Sequence, residues 1–256
     1  MRDSSDGNRG MRETGAVLML GATSTIARAL ARELAAGGRS LLLAGRDAGD
    51  LDAIARDLTI RYGVAASVHQ IDVLDLGSHA RIIGACMSAA RVEGAVIAFG
   101  ELGDQALAQQ DREELRRILE TNFTGCASVL ELVAAHFETR GGGWICALTS
   151  VAGDRGRQSN YVYGAAKAGL TAYLQGLRNR LSRAGVRVLT VKLGIVDTQM
   201  TFGMALPTAA EPGKVARAIV KAIDSRRDVV YVPWIWRWIM LAIRAIPERF
   251  FKRMRL

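Results

Sequence analysis

Short apolar runs punctuate the chain at Ala16 to Leu20, Ser40 to Ala44, Ala65 to Ile71, Gly94 to Phe99, Trp144 to Thr149, Val186 to Leu193 and Asp228 to Val232. Each is shorter than a typical helix and too uniformly apolar for a strand with one wet face, so each reads as a strand buried on both sides. Helical periodicity fills most of the intervals; the first instance, Ile26 to Ala36, follows a Gly/Ser/Thr turn directly after the first run. Strict alternation of this kind predicts an α/β fold, a single-domain Rossmann-type doubly wound parallel sheet of about seven strands with helices on both faces. Residues 15–233 form that domain, 1–14 read as a polar, disordered arm, and 234–256 as a basic, Trp-rich amphipathic C-terminal helix.

Composition narrows the class. The chain has 256 residues, half of them hydrophobic, enough for one large core and too little for two. Cys86, Cys126 and Cys146 lie far apart with no paired spacing, which points away from a disulfide framework or a zinc site and towards a reducing, cytoplasmic compartment. The first fourteen residues are polar rather than apolar, unlike a secretory leader. The formal net charge is +9, and much of the excess lies after Trp234 in Arg237, Arg244, Arg249, Lys252, Arg253 and Arg255, opposed only by Glu248. No nucleic-acid-reading motif carries this charge, so nucleic acid is not expected as a partner.

Candidate chemistry begins at the first turn. Gly21-Ala22-Thr23-Ser24-Thr25-Ile26-Ala27 is a glycine-poor version of a dinucleotide loop, in which Gly21 serves the turn, Ala27 permits close packing, and the three hydroxyls face phosphate at a helix N-terminus. An ordinary strand-to-helix turn explains the same residues. Arg46, at the end of the second strand, suits a ribose 2′-phosphate and so favours NADP(H) over NAD; the plain alternative is a solvated arginine. Asp72, followed by Val73, either accepts a hydrogen bond from adenine or closes a turn. The sharpest pattern is Tyr163-Gly-Ala-Ala-Lys167, with Ser150 at the end of a strand thirteen positions earlier. One helical turn puts phenol and ammonium on one face, where a cation draws the phenol's pKa down and makes it a usable proton donor. Tyr161 is the local competitor, but the residue one turn after it is Ala165.

This ordered set resembles the short-chain dehydrogenase/reductase family. The matching residues are Gly21 to Ala27, Asp72, Ala98-Phe99-Gly100, Asn122, Ser150, Tyr163, Lys167 and Leu193 to Thr198, which span nearly the whole chain. The resemblance implies that Asn122, Ser150, Tyr163 and Lys167 are catalytic, with Asn122 at a helix kink holding a water of a proton relay. It implies that the cofactor lies along Gly21, Thr23, Ser24, Thr25, Ile26, Arg46, Asp72, Val73, Ala98 and Gly100, against Tyr163 and Lys167, with Ile195 and Thr198 at the nicotinamide carboxamide. A homodimer or homotetramer, paired through helices beginning near Asn122 and Asn160, is also implied. The sequence departs from the family pattern at Thr25, Ala27, Ala98 and Leu193; the glycine-poor loop raises a non-catalytic NADP-binding sensor or scaffold as an alternative, and the intact Ser150, Tyr163 and Lys167 point to an NADPH-dependent ketoreductase.

The tail raises the question of substrate. Trp234 to Ile246 as a helix reaches only about 20 Å, short of the roughly 30 Å of a bilayer core, so it should lie on a membrane rather than cross it. Arg237 and Arg244 form one cationic stripe beside three tryptophans, which suits an anionic membrane surface on the inner face of the cell membrane. A helix packed on a neighbouring subunit or over the substrate cleft is the competing picture. Met200, Phe202, Met204 and Leu206 suggest an apolar lid and a lipid-bearing ketone. The segments Phe99 to Asp104 and Val232 onward resemble the keto-reductases of decaprenylphosphoryl-ribose epimerase systems, which implies a lipid-linked keto-sugar and a partner oxidase; a soluble or carrier-bound ketone is the alternative.

Overall fold

The computed structural model describes residues 15–201 and 209–254. The proposed N-terminal arm and lid residues 202–206 lie outside the described residues. In chain order the elements are β1 (Ala16–Leu20), α1 (Thr25–Ala36), β2 (Leu41–Gly45), α2 (Ala48–Tyr62), β3 (Ala66–Gln70), α3 (Leu76–Ala89) and β4 (Val92–Ile97). After these come α4 (Gln105–Ala108), α5 (Arg112–Leu119), α6 (Gly125–Arg140), β5 (Gly143–Ser150), α7 (Tyr161–Leu181) and β6 (Val186–Leu193). The chain closes with α8 (Pro212–Asp224), β7 (Val229–Val232), α9 (Trp236–Ala245) and α10 (Glu248–Phe251).

The seven strands are parallel, in the order β3-β2-β1-β4-β5-β6-β7. Every residue of β1 and β2 is buried, as expected for strands covered on both faces, whereas the edge strand β3 is partly exposed and carries His69 and Gln70. One apolar layer packs α3, α6 and α7 on one face through Leu130, Phe137 and Leu174. A second packs α1, α2 and α8 on the other through Leu30, Leu58 and Ile219. Because the chain winds from β1 towards β3 and then returns to add β4, the connections diverge at the β1/β4 boundary. A crevice opens there at the carboxyl ends of the strands, the usual ligand position in this architecture.

Most strand ends lie within one or two residues of the sequence reading, and two differences shape the site and the tail. β4 ends at Ile97, not Phe99: Ala98 donates to the Leu20 carbonyl at 2.8 Å, and the chain then leaves the sheet to line the crevice. The C-terminal segment is not one helix through 234–256. It breaks at Pro247, which cannot continue the α9 ladder, and α10 starts anew after it.

Candidate active site

The turn after β1 is built for a close approach. Gly21 has φ +81°, and a Cβ on it would sit 2.8 Å from the backbone of Ala98 and Phe99, so both its conformation and its contact require glycine. Ser24 caps α1, its Oγ accepting from the Ala27 amide at 3.2 Å, which leaves its hydroxyl hydrogen available to a ligand. Gly21, Thr23, Ser24, Arg46, Val73, Ala98 and Gly100 line one end of the crevice, about 300 Å³ in volume. Ser24, Thr25, Ile26, Ala98, Gly100, Tyr163, Lys167 and Thr198 line the other, about 240 Å³, and Gln199 borders both. The Arg46 side chain is exposed and has no ion-pair partner among the described residues.

At the second end, Tyr163 and Lys167 occupy the first two turns of α7 and face inward, 9% and 3% exposed. The Lys167 Nζ lies 5.7 Å from the Tyr163 ring centroid and donates to the Phe99 carbonyl at 3.2 Å. Ser150, at the end of β5, is near enough to the Tyr163 hydroxyl to oppose the rise in its pKa, while its Oγ accepts from the Ala152 amide at 3.1 Å. Between α5 and α6 the helix widens into a π-type turn, Glu120–Thr124, with Asn122 fully buried inside it. Asn122 donates to the carbonyls of Ile118 (2.9 Å) and Glu101 (2.7 Å) and accepts from the Glu101 amide (3.1 Å). The side chains of Asn122 and Lys167 meet beside Gly100, where a Cβ would lie 3.3 Å from Asn122 Oδ1 and 3.2 Å from Lys167 Nζ.

The electrostatics differ from the expectation that Lys167 draws the phenol down. Burial pushes the Tyr163 hydroxyl up to about 12, and Ser150 opposes this only in part. Burial also lowers Lys167, since the same dry surroundings disfavour its charged form. The neighbour that opposes the rise at Tyr163 is Ser150 rather than Lys167.

Other candidates land unevenly. Asp72 closes a turn, its carboxylate accepting from the Leu74 amide at 3.0 Å, while Val73 and Leu74 line the crevice in its place. Ile195 stands on the loop after β6 with its carbonyl bound to the Ala210 amide at 3.0 Å; Thr198 and Gln199 of that loop reach the crevice. Tyr161 points outward and is 44% exposed. Leu148, Thr149 and Thr121 also line the crevice and escaped the sequence reading, although each adjoins or nearly adjoins a residue that it singled out.

Comparison with known proteins settles the family. The family described as short chain dehydrogenase matches residues 15–205. The chain belongs to the short-chain dehydrogenase family. A short-chain dehydrogenase is an oxidoreductase acting on alcohol or ketone groups, and the relatives agree. An uncharacterized oxidoreductase of Mycobacterium tuberculosis is 38% identical over 248 residues, covering 95% of this chain and 99% of the relative. A second uncharacterized oxidoreductase, from Streptomyces coelicolor, is 36% identical over 240 residues, covering 93% and 95%. Among solved structures, a short-chain dehydrogenase from Sphingobium yanoikuyae in complex with NADPH superposes with a TM-score of 0.81 at 27% identity, over 91% of this chain and 97% of that one.

Proposed function

We propose that this short-chain dehydrogenase is an NADPH-dependent ketoreductase in which Tyr163 is the proton donor. The observation that carries the reading is the convergence of Tyr163 and Lys167, with Ser150 next to Tyr163 at the end of β5, at one end of a crevice whose other end presents Arg46. The residues present fit a 2′-phosphorylated dinucleotide. Gly21 leaves room that a side chain would fill, the N-terminus of α1 offers amides to phosphate, and the Arg46 guanidinium is free of any ion pair among the described residues.

When bound, the dinucleotide supplies the hydride. Ser150 orients the carbonyl, and Tyr163 gives its phenolic proton to the oxygen, so that one hydride and one proton complete the alcohol. The pKa of about 12 keeps the phenol protonated and ready to donate at neutral pH. Lys167, held by the Phe99 carbonyl, stabilises the phenolate left behind, and Asn122 stands at the inner end of a relay that returns the proton. Thr198, on the loop that carries Ile195, would hold the carboxamide side, and Val73, beside the turn that Asp72 closes, the adenine side.

The finer reading is a lipid-linked ketone, such as a keto-sugar supplied by a partner oxidase, reduced in the cytoplasm at the inner face of the membrane. Trp234, Trp238, Leu241 and Phe250 are 70%, 55%, 58% and 51% exposed, among Arg237, Arg244, Arg249 and Lys252, which supports contact with anionic lipid. A soluble or carrier-bound ketone, with the C-terminal helix used for oligomerisation in a homodimer or homotetramer that also pairs through α6 and α7, is the second reading; the exposed Trp234 and Trp238 suit a subunit interface as well as lipid. The complete Ser150, Tyr163 and Lys167 set weighs against a sensor without turnover.

The test is NADPH oxidation, followed by absorbance, over a panel of aryl, cyclic and lipid-linked ketones. Tyr163→Phe should lower kcat by about 10²–10⁴-fold while NADPH still binds. Unchanged turnover in that variant would remove Tyr163 from the mechanism.

A further inference from the structure

The loop joining Ser150 to α7 is gripped from outside by the C-terminal segment, chiefly through one side chain. Arg155 Nη1 donates to the carbonyls of Ile243 (2.9 Å), Arg244 (3.1 Å) and Ile246 (2.7 Å) at the end of α9, where helix carbonyls lack partners. Its Nη2 binds Glu248 at 2.8 Å, and its guanidinium carbon lies 3.9 Å over the Phe251 ring. The side chain is 14% exposed, and nothing in the catalytic chemistry employs it. A second contact repeats the pattern: Arg157 of the same loop donates to Met240 Sδ at 3.3 Å.

The other end of the segment rests on the loop that follows β6, the strand paired to β5 with Leu193 opposite Ser150. A Cβ on Gly194 would fall 2.0 Å from the Trp236 indole nitrogen, so the indole lies directly on the backbone that follows β6. Gly194 adjoins Leu193, which lines the crevice beside Tyr163. No residue of α9 or α10 lines that crevice itself. The segment therefore touches the two loops that leave the paired strand ends Ser150 and Leu193, and it touches no residue of the reacting set.

We infer that Arg155 is a positioning residue that fastens α9 and α10 across the Ser150–Tyr163 loop and the Gly194 loop, fixing how the two loops are held relative to each other beyond the paired strand ends Ser150 and Leu193, at the carbonyl end of the crevice. The inference rests on the ketoreductase reading, and it assigns the C-terminal segment a role in ketone fit whether or not that segment meets lipid. Two loops tied to one rigid helix keep a fixed separation; untied, each moves on its own, and the cost falls on ketone binding rather than on proton transfer.

The experiment compares the full chain with Arg155→Ala, Arg155→Lys and Trp236→Ala, using whichever ketone of the panel above the unaltered chain reduces fastest. KM for that ketone should rise about tenfold in Arg155→Ala and in Trp236→Ala, with kcat within about threefold and NADPH affinity within about twofold. Arg155→Lys, which keeps the charge but not the fork, should recover part of the loss. If the residue served stability alone, less folded enzyme would lower the apparent kcat and leave KM alone. That result, or unchanged kinetics in both alanine variants, overturns the inference. Should Arg155→Ala not fold, Trp236→Ala and Arg155→Lys decide the matter by the same KM criterion. Absence of ketone reduction by the unaltered chain would instead count against the ketoreductase reading itself.

Discussion

Tyr163 holds its proton because its hydroxyl is removed from water faster than any neighbour compensates. Burial pushes it up to about 12, against an ordinary phenol near 10, with Ser150 as the opposing influence. The sign has a direct kinetic consequence. Ketone reduction needs the protonated phenol, which predominates at all pH values below about 12, so kcat/KM for reduction should not fall on this account between pH 6 and 9. Alcohol oxidation needs the phenolate, whose share grows about tenfold per pH unit below the pKa, so its initial rate should climb steeply over the same window. Paired pH profiles check this, and a flat oxidation profile would mean that another group takes the proton. At this scale the sequence was informative wherever the chemistry is local. The four-residue spacing of Tyr163 and Lys167 implies a shared face without any coordinates. Asp72 was less legible, because a carboxylate that accepts from the amide two residues on looks in sequence like one that awaits a ligand.

Among the elements, the loops do more than the helices they connect. The turn after β1 works with one glycine because only Gly21 has both a positive φ and backbone within 2.8 Å; the positions where the family pattern has further glycines are occupied here by Thr25 and Ala27, inside α1. The π-type turn at Asn122 inserts an extra residue into the path from α5 to α6, and its buried amide answers the displaced carbonyl of Ile118. Nothing in the local sequence demands that turn, since Glu120 to Thr124 are compatible with continuous helix. The loop after β6 carries a sharper constraint. Gly194→Val would thrust its side chain into the space of the Trp236 indole, overpacking worth about 1–3 kcal/mol. The melting temperature should drop by roughly 2–10 °C in a thermal unfolding scan. No change would mean that Trp236 does not rest there.

At the scale of the molecule, a sheet buried on both faces leaves one open edge of chemistry, the carboxyl ends of its strands, and the C-terminal segment is folded onto that side. Its inner face is spent on Arg155, Arg157 and Gly194; its outer face displays Trp234, Trp238 and Phe250 among cations. If that face meets anionic lipid, the chain should float with phosphatidylserine-containing vesicles at low salt. It should remain behind with neutral vesicles, or in high salt, because exposed charge is screened within about 10 Å at 0.1 M. A chain lacking residues 234–256 should not float at all. Flotation independent of the segment, or of lipid charge, would leave only the reading in which the tail serves assembly.

Strand and helix alternation, the placement of Ser150 at a strand end and the shared face of Tyr163 and Lys167 all follow from the sequence, because each depends on periodicity within a few residues. The dry environment that raises the phenol, the bond from Lys167 to Phe99 across 68 positions, and the grip of Arg155 on Glu248 across 93 were decided only by tertiary structure. The physical reason is that burial and long-range pairing are properties of where the chain returns, and composition or spacing near a residue does not determine what is folded on top of it.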